Sequence, residues 1–81
     1  MEILRYITWY DKVTNKLVGE FRIDQIVAES QLHEIFKKYK DDPLLYMVYD
    51  ISKNEAEKIL KHFDFSFDFD KFIYNLDCYQ K

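Results

Sequence analysis

The chain reads as a small α+β domain: an antiparallel sheet of about four strands with two helices, in the order ββαβαβ. Three observations predict it. Residues 3–10 and 16–23 are dense in β-branched and aromatic side chains and flank a short polar turn. Two later segments carry apolar residues at helical spacing. The last third returns to period-two alternation. At 81 residues the chain has room for one domain, 1–81.

The first strand is expected over 3–10. Its alternation places Ile3, Arg5, Ile7 and Trp9 on one face and Leu4, Tyr6, Thr8 and Tyr10 on the other. Asp11 to Asn15 form a polar turn, in which Asp11 and Asn15 can bond backbone groups. The second strand runs over about 16–23 and completes a hairpin. Gly19, the only glycine, points to a bulge or a close backbone approach there.

A helix follows, with Ala28, Leu32, Ile35, Phe36 and Tyr39 on its apolar stripe and Asp24 or Ser30 as its N-cap. It extends over about 30–40, and Asp41-Asp42-Pro43 ends it. Residues 44–51 are apolar and aromatic and read as a third strand. Ser52-Lys53-Asn54-Glu55 matches a capping box opening a second helix over about 53–63. The fourth strand is expected to cover 64–70 and continue to 79. Phe72, Tyr74, Leu76 and Cys78 then share one face, and Ile73, Asn75, Asp77 and Tyr79 the other. Helices are expected on one sheet face, leaving the other open.

Composition narrows the function. The chain has one glycine and one proline, so a glycine-rich phosphate loop is excluded. Aromatics make up 19%, more than so small a core needs, which points to exposed aromatic surface. Net charge is −3, with none of the basic stripe that nucleic-acid binding requires. The charge is uneven: residues 1–40 sum to +1 and residues 41–81 to −4. An acidic end of this kind suits a basic protein partner.

Catalytic constellations are weak. His33, His62 and Cys78 have no metal-ligand spacing, and nothing local activates Cys78 as a nucleophile. Asp64, Asp68 and Asp70 lack the glycine and glutamate of a calcium loop. No catalytic residues, metal or cofactor are expected. One cysteine permits no internal disulfide, and no apolar run spans a bilayer. The start of the chain lacks a signal-peptide core, so a cytoplasmic location is expected. Strand tyrosines beside the acidic residues form the candidate binding face: Asp68, Asp70 and Asp77 with Tyr10, Tyr74 and Tyr79.

The hairpin Ile7-Thr8-Trp9-Tyr10-Asp11-Lys12-Val13-Thr14-Asn15-Lys16-Leu17-Val18-Gly19-Glu20 resembles the opening of the cloacin-type immunity proteins, which neutralise ribonuclease colicins. In outline the whole chain also resembles small bacterial proteins of toxin–immunity neighbourhoods. The resemblance implies an antiparallel sheet that binds a basic nuclease domain through sheet and loop residues. It places Tyr10 and Leu17 at toxin-contact positions, with Leu17 standing where that family has an aromatic. It also implies a different toxin, because that family lacks the helix expected at 30–40. The function expected is therefore an immunity protein, a monomer or weak dimer when free, that blocks a cognate toxin sterically and electrostatically. The alternative is an interaction module that homodimerises through its open sheet face. Neither involves direct contact with nucleic acid or membrane.

Overall fold

The computed structural model describes residues 3–36 and 48–80. Six elements follow in order: β1 (Ile3–Asp11), β2 (Leu17–Arg22), α1 (Glu29–Ile35), β3 (Tyr49–Asp50), α2 (Lys53–Ile59) and β4 (Phe72–Gln80). The four strands form one antiparallel sheet in the order β2-β1-β4-β3. The α+β class and the ββαβαβ order are as the sequence predicts. The first and last long strands lie side by side at the centre, so the sheet closes only when the C-terminal strand arrives.

Local chemistry explains the hairpin. Asp11 Oδ1 accepts the N–H groups of Val13 at 2.8 Å and Thr14 at 3.0 Å. Asn15 takes the left-handed conformation, with φ at 60°, which Asn tolerates better than most residues. The two backbone bonds hold the Asp11 carboxyl below its ordinary value, that of Thr14 contributing most.

Gly19 faces Trp9 across the ladder. A Cβ there would lie 2.3 Å from Trp9 Cζ2, so the indole lies directly on the glycine backbone. The register shifts by one residue beside this pair, with Val18 the extra residue on β2. Both the bulge and the close approach expected of Gly19 are present.

The core lies on the Ile7 face of the sheet, under both helices. Ile7, Ile23, Leu32, Phe36, Ile59 and Leu76 are its most deeply buried members. Arg5 shares that face, and its Nη2 lies 3.3 Å from Glu29 Oε1 in the first turn of α1. An acidic side chain there also suits the helix dipole.

Several boundaries differ from expectation. α1 starts after Ala28, not at Asp24 or Ser30. Gln31 Oε1 accepts the Ala28 N–H at 2.9 Å and stands in for a capping side chain. Asp24 is engaged elsewhere. Its carboxylate takes Arg22 Nε and Nη2, both at 2.9 Å, and the Arg5 N–H at 3.0 Å. The expected extension of this helix to 40, its stop at Asp41-Asp42-Pro43, and most of the third strand lie outside the described residues. Of the third strand, only Tyr49–Asp50 is observed. The capping box at Ser52 is present: Glu55 Oε1 accepts from the Ser52 N–H at 3.0 Å and from its hydroxyl. α2 ends at Ile59, and a tight turn carries the chain to Phe63.

Residues 64–70 are not strand. Their alternating phenylalanines pack against the end of the core instead of pairing in the sheet. Phe65 and Phe67 lie 4.7 Å apart, Phe67 and Tyr74 4.9 Å, and Phe69 and Tyr74 5.2 Å. Tyr74 fixes the segment through its hydroxyl, which accepts the Asp68 N–H at 2.8 Å. The Lys71 and Phe72 N–H groups then bond the Asp68 carbonyl, closing a turn before β4.

Two predictions follow from these contacts. Gly19→Ala should destabilise the fold by about 1–3 kcal/mol, because the added methyl collides with an indole fixed in the sheet. In urea melts, Val18→Ala at the neighbouring exposed position should stay within about 0.5 kcal/mol of the parent. Asp24 gives a pH test. Its hydrogen bonds from Arg22, then from the Arg5 backbone, hold its carboxyl below the ordinary 3.8. A depressed folded-state pKa contributes stability above the unfolded value and loses it as pH falls through the folded one. The stability gap between the parent and Asp24→Asn should therefore be full at pH 7. It should shrink below about pH 4, as read from thermal melts of both proteins.

Candidate protein interface

Alternation and register together define the second sheet face. β1 presents Leu4, Tyr6, Thr8 and Tyr10 there, and β4 presents Ile73, Asn75, Asp77 and Tyr79. The pairs across the strands make rows. At one end Tyr10 stands between Leu17 of β2 and Ile73 of β4. Next come Glu20, Thr8, Asn75 and Asp50, and then Arg22, Tyr6 and Asp77. Leu4 and Tyr79 form the far row.

The face has an apolar end and a polar middle. Leu17 is 51% exposed, Ile73 41% and Tyr79 42%, while Tyr10 and Tyr6 are half-buried. Tyr6 meets the Tyr79 ring edge-on at 5.3 Å. The Tyr79 hydroxyl donates to Glu20 Oε1 at 3.4 Å. Partial burial, then the charges of Asp77 and Glu20, push the Tyr79 phenol above its ordinary value of 10. It is therefore a protonated donor at neutral pH. Glu20 and Asp50 are exposed carboxylates on the same face. Arg22 is the cation of its row, and Asp24 holds it.

The seven residues expected at the partner face divide into three groups. Tyr10, Leu17 and Tyr79 lie on the open side, with Tyr10 and Leu17 directly paired. Asp68 and Asp70 lie in the turn before β4, beside the hairpin, where the Lys12 N–H bonds the Lys71 carbonyl. Asp70 is exposed, whereas Asp68 Oδ1 accepts the Asp70 N–H at 3.1 Å and shapes the turn. Tyr74 and Asp77 are corrections, because neither is a surface residue. Tyr74 is 3% exposed and lies among Trp9, Phe65, Phe67, Phe69 and Phe72. The alternation that groups it with Leu76 already carries this signal. Asp77 is on the open face but 7% exposed, and it accepts the hydroxyl of fully buried Thr8 at 2.6 Å. A carboxylate committed to a buried hydroxyl organises the sheet and does not meet a partner.

Ile73, exposed beside Tyr10, is not among the residues the sequence places on the candidate face. Its signal was an apolar side chain on the polar side of the β4 alternation. Among the described residues no group of three or more His, Cys, Asp or Glu side chains is placed to hold a metal ion. None of their helices is long and apolar enough to cross a membrane.

Fold and face together define a small α+β sheet domain with one side packed and the other open. Comparison with known proteins places it further. The chain belongs to the family described as Domain of unknown function (DUF7683), whose model matches residues 4–77. No curated protein and no solved structure matches it.

The buried pair on the open face is testable. Thr8→Val leaves the Asp77 carboxylate buried without its donor and should cost about 1–3 kcal/mol in urea unfolding. Asn75→Ala, at the position paired with Thr8 on the same face, should cost less.

Proposed function

We propose that this chain is an immunity-type inhibitor that binds a basic bacterial toxin domain and blocks it without catalysis. The observation that carries the reading is the apolar row Leu17–Tyr10–Ile73 on an otherwise acidic open sheet face. An exposed apolar cluster rimmed by charge fits a protein contact better than a solvated surface. Tyr79 supplies a second aromatic anchor, held upright by Tyr6 and Glu20. Glu20, Asp50 and Asp70 supply the charge that draws in a basic partner and speeds encounter. The hairpin resemblance favours a nuclease as that partner, met in the cytoplasm, with no cofactor required.

Co-expression with each neighbouring gene product as candidate toxin tests the reading. The parent should protect cells and form a one-to-one complex. Tyr79→Ala and Ile73→Asp should each weaken the purified complex about tenfold or more, with a loss of protection to match. Val13→Asp at the exposed hairpin turn should leave both unchanged. The absence of both protection and a complex would exclude the inhibitor role. A complex indifferent to Tyr79 and Ile73 would exclude this face.

A further inference from the structure

We propose that β2 is the contact edge for a second copy of this chain, paired antiparallel about Phe21 so that Glu20 of each copy faces Arg22 of the other. β2 is an edge strand of the sheet. The Ile23 N–H donates to the Arg5 carbonyl at 2.8 Å, so Arg5 and Ile23 are a hydrogen-bonded pair. In an antiparallel ladder such pairs recur at every second residue. The register therefore makes Ile7/Phe21 and Trp9/Gly19 the pairs that exchange bonds within the sheet. The N–H and C=O groups of Glu20 and Arg22 turn the other way, to the side of β2 that carries no strand among the described residues.

Edge strands are commonly blunted by proline, charged side chains, bulges or extreme shortness. β2 reads Leu-Val-Gly-Glu-Phe-Arg: it has no proline and no lysine, and its two charges, Glu20 and Arg22, are opposite in sign. Leu17, Val18 and Phe21 are 51%, 52% and 36% exposed along it. The bulge at Val18 disturbs only the first half of the strand. Glu20 to Arg22 remain regular.

Charge selects both partner and register. Pairing centred on Glu20 would set that carboxylate against its own copy, and like charges directly opposite destabilise a sheet. Pairing centred on Gly19 would set Lys16 against Arg22. Centred on Phe21, each Glu20 meets an Arg22 through both backbone and side chain. Arg22 already holds Asp24, and a guanidinium, with five N–H donors, can serve more than one carboxylate. Phe21 then meets its own copy across the two-fold axis, at a pair whose Cβ atoms approach to about 4.5–5.5 Å. Phe21 already touches Phe63 and Phe65, at ring distances of 5.8 and 5.5 Å. The second ring therefore extends an existing aromatic layer. The contact is isologous and closed, so it makes a dimer and not a fibre. It leaves Tyr10, Ile73 and Tyr79 uncovered for a different partner.

Sedimentation velocity on the full chain across a concentration series tests this. The parent should show a concentration-dependent dimer. Glu20→Pro removes the outward N–H but no bond to β1, and Glu20→Arg sets like charges across the axis. Each should weaken dimerisation about tenfold or more while far-UV circular dichroism stays as in the parent. In a Cys78→Ser background, mild oxidation should cross-link Phe21→Cys into a covalent dimer and leave Val18→Cys monomeric. A parent that stays monomeric up to about 1 mM overturns the proposal. So does a dimer that survives both Glu20 variants and is lost on Tyr79→Ala, which would place self-association on the open face.

Discussion

The structure depends on β1 having every side occupied. Its backbone pairs with β2 along one edge and β4 along the other. One face carries Arg5, Ile7 and Trp9 into the core, and the other carries Tyr6, Thr8 and Tyr10 to the open side. The tightest point is Trp9 against Gly19. A large indole lies flat across the strand only because the facing residue has no side chain. That contact places Trp9 within 5.5 Å of Phe65 and 6.2 Å of Tyr74, and through them orders the phenylalanine segment that closes the core. A chain with a single glycine has spent it where a Cβ would break the sheet.

The elements most legible in the sequence were those fixed by local chemistry. The hairpin turn follows from the Asp11 carboxylate, as read, and from Asn15 through its left-handed backbone; the start of α2 follows from Ser52 and Glu55, also as read. The elements misread were those decided by distant partners. Asp24 resembles a helix cap, yet two hydrogen bonds from Arg22 claim it, and Gln31 holds the Ala28 N–H instead. Residues 64–70 alternate like a strand. Alternation records only that every second side chain is apolar, and here those side chains close over the end of the core around Tyr74. The Tyr74 hydroxyl binding the Asp68 N–H is a tertiary bond that no local pattern carries.

The candidate site was legible to a similar depth. Splitting β1 and β4 by alternation separates the packed face from the open one correctly. Choosing tyrosines and aspartates by type alone brings in Tyr74, which the same alternation buries, and Asp77, whose carboxylate accepts the buried Thr8 hydroxyl. The strand order was the missing piece. Only with β1 beside β4 do Tyr10 and Ile73 become neighbours, and only with the bulge at Val18 does Leu17 join them. Among the described residues the exposed aromatic area implied by the composition includes Tyr79 with half-buried Tyr6 and Tyr10 on the open face, and Phe21 at the sheet edge.

The central claim is a division of labour between the two faces of one sheet. Its most direct measurement is amide and side-chain chemical-shift mapping by NMR, with the isotopically labelled chain titrated with a basic toxin domain against which it protects. The account predicts the largest changes at Tyr6, Tyr10, Leu17, Ile73 and Tyr79. Phe65, Phe67 and the two helices should be left nearly unmoved. Changes concentrated on the helices or on the 64–71 segment, with the open face silent, would contradict it.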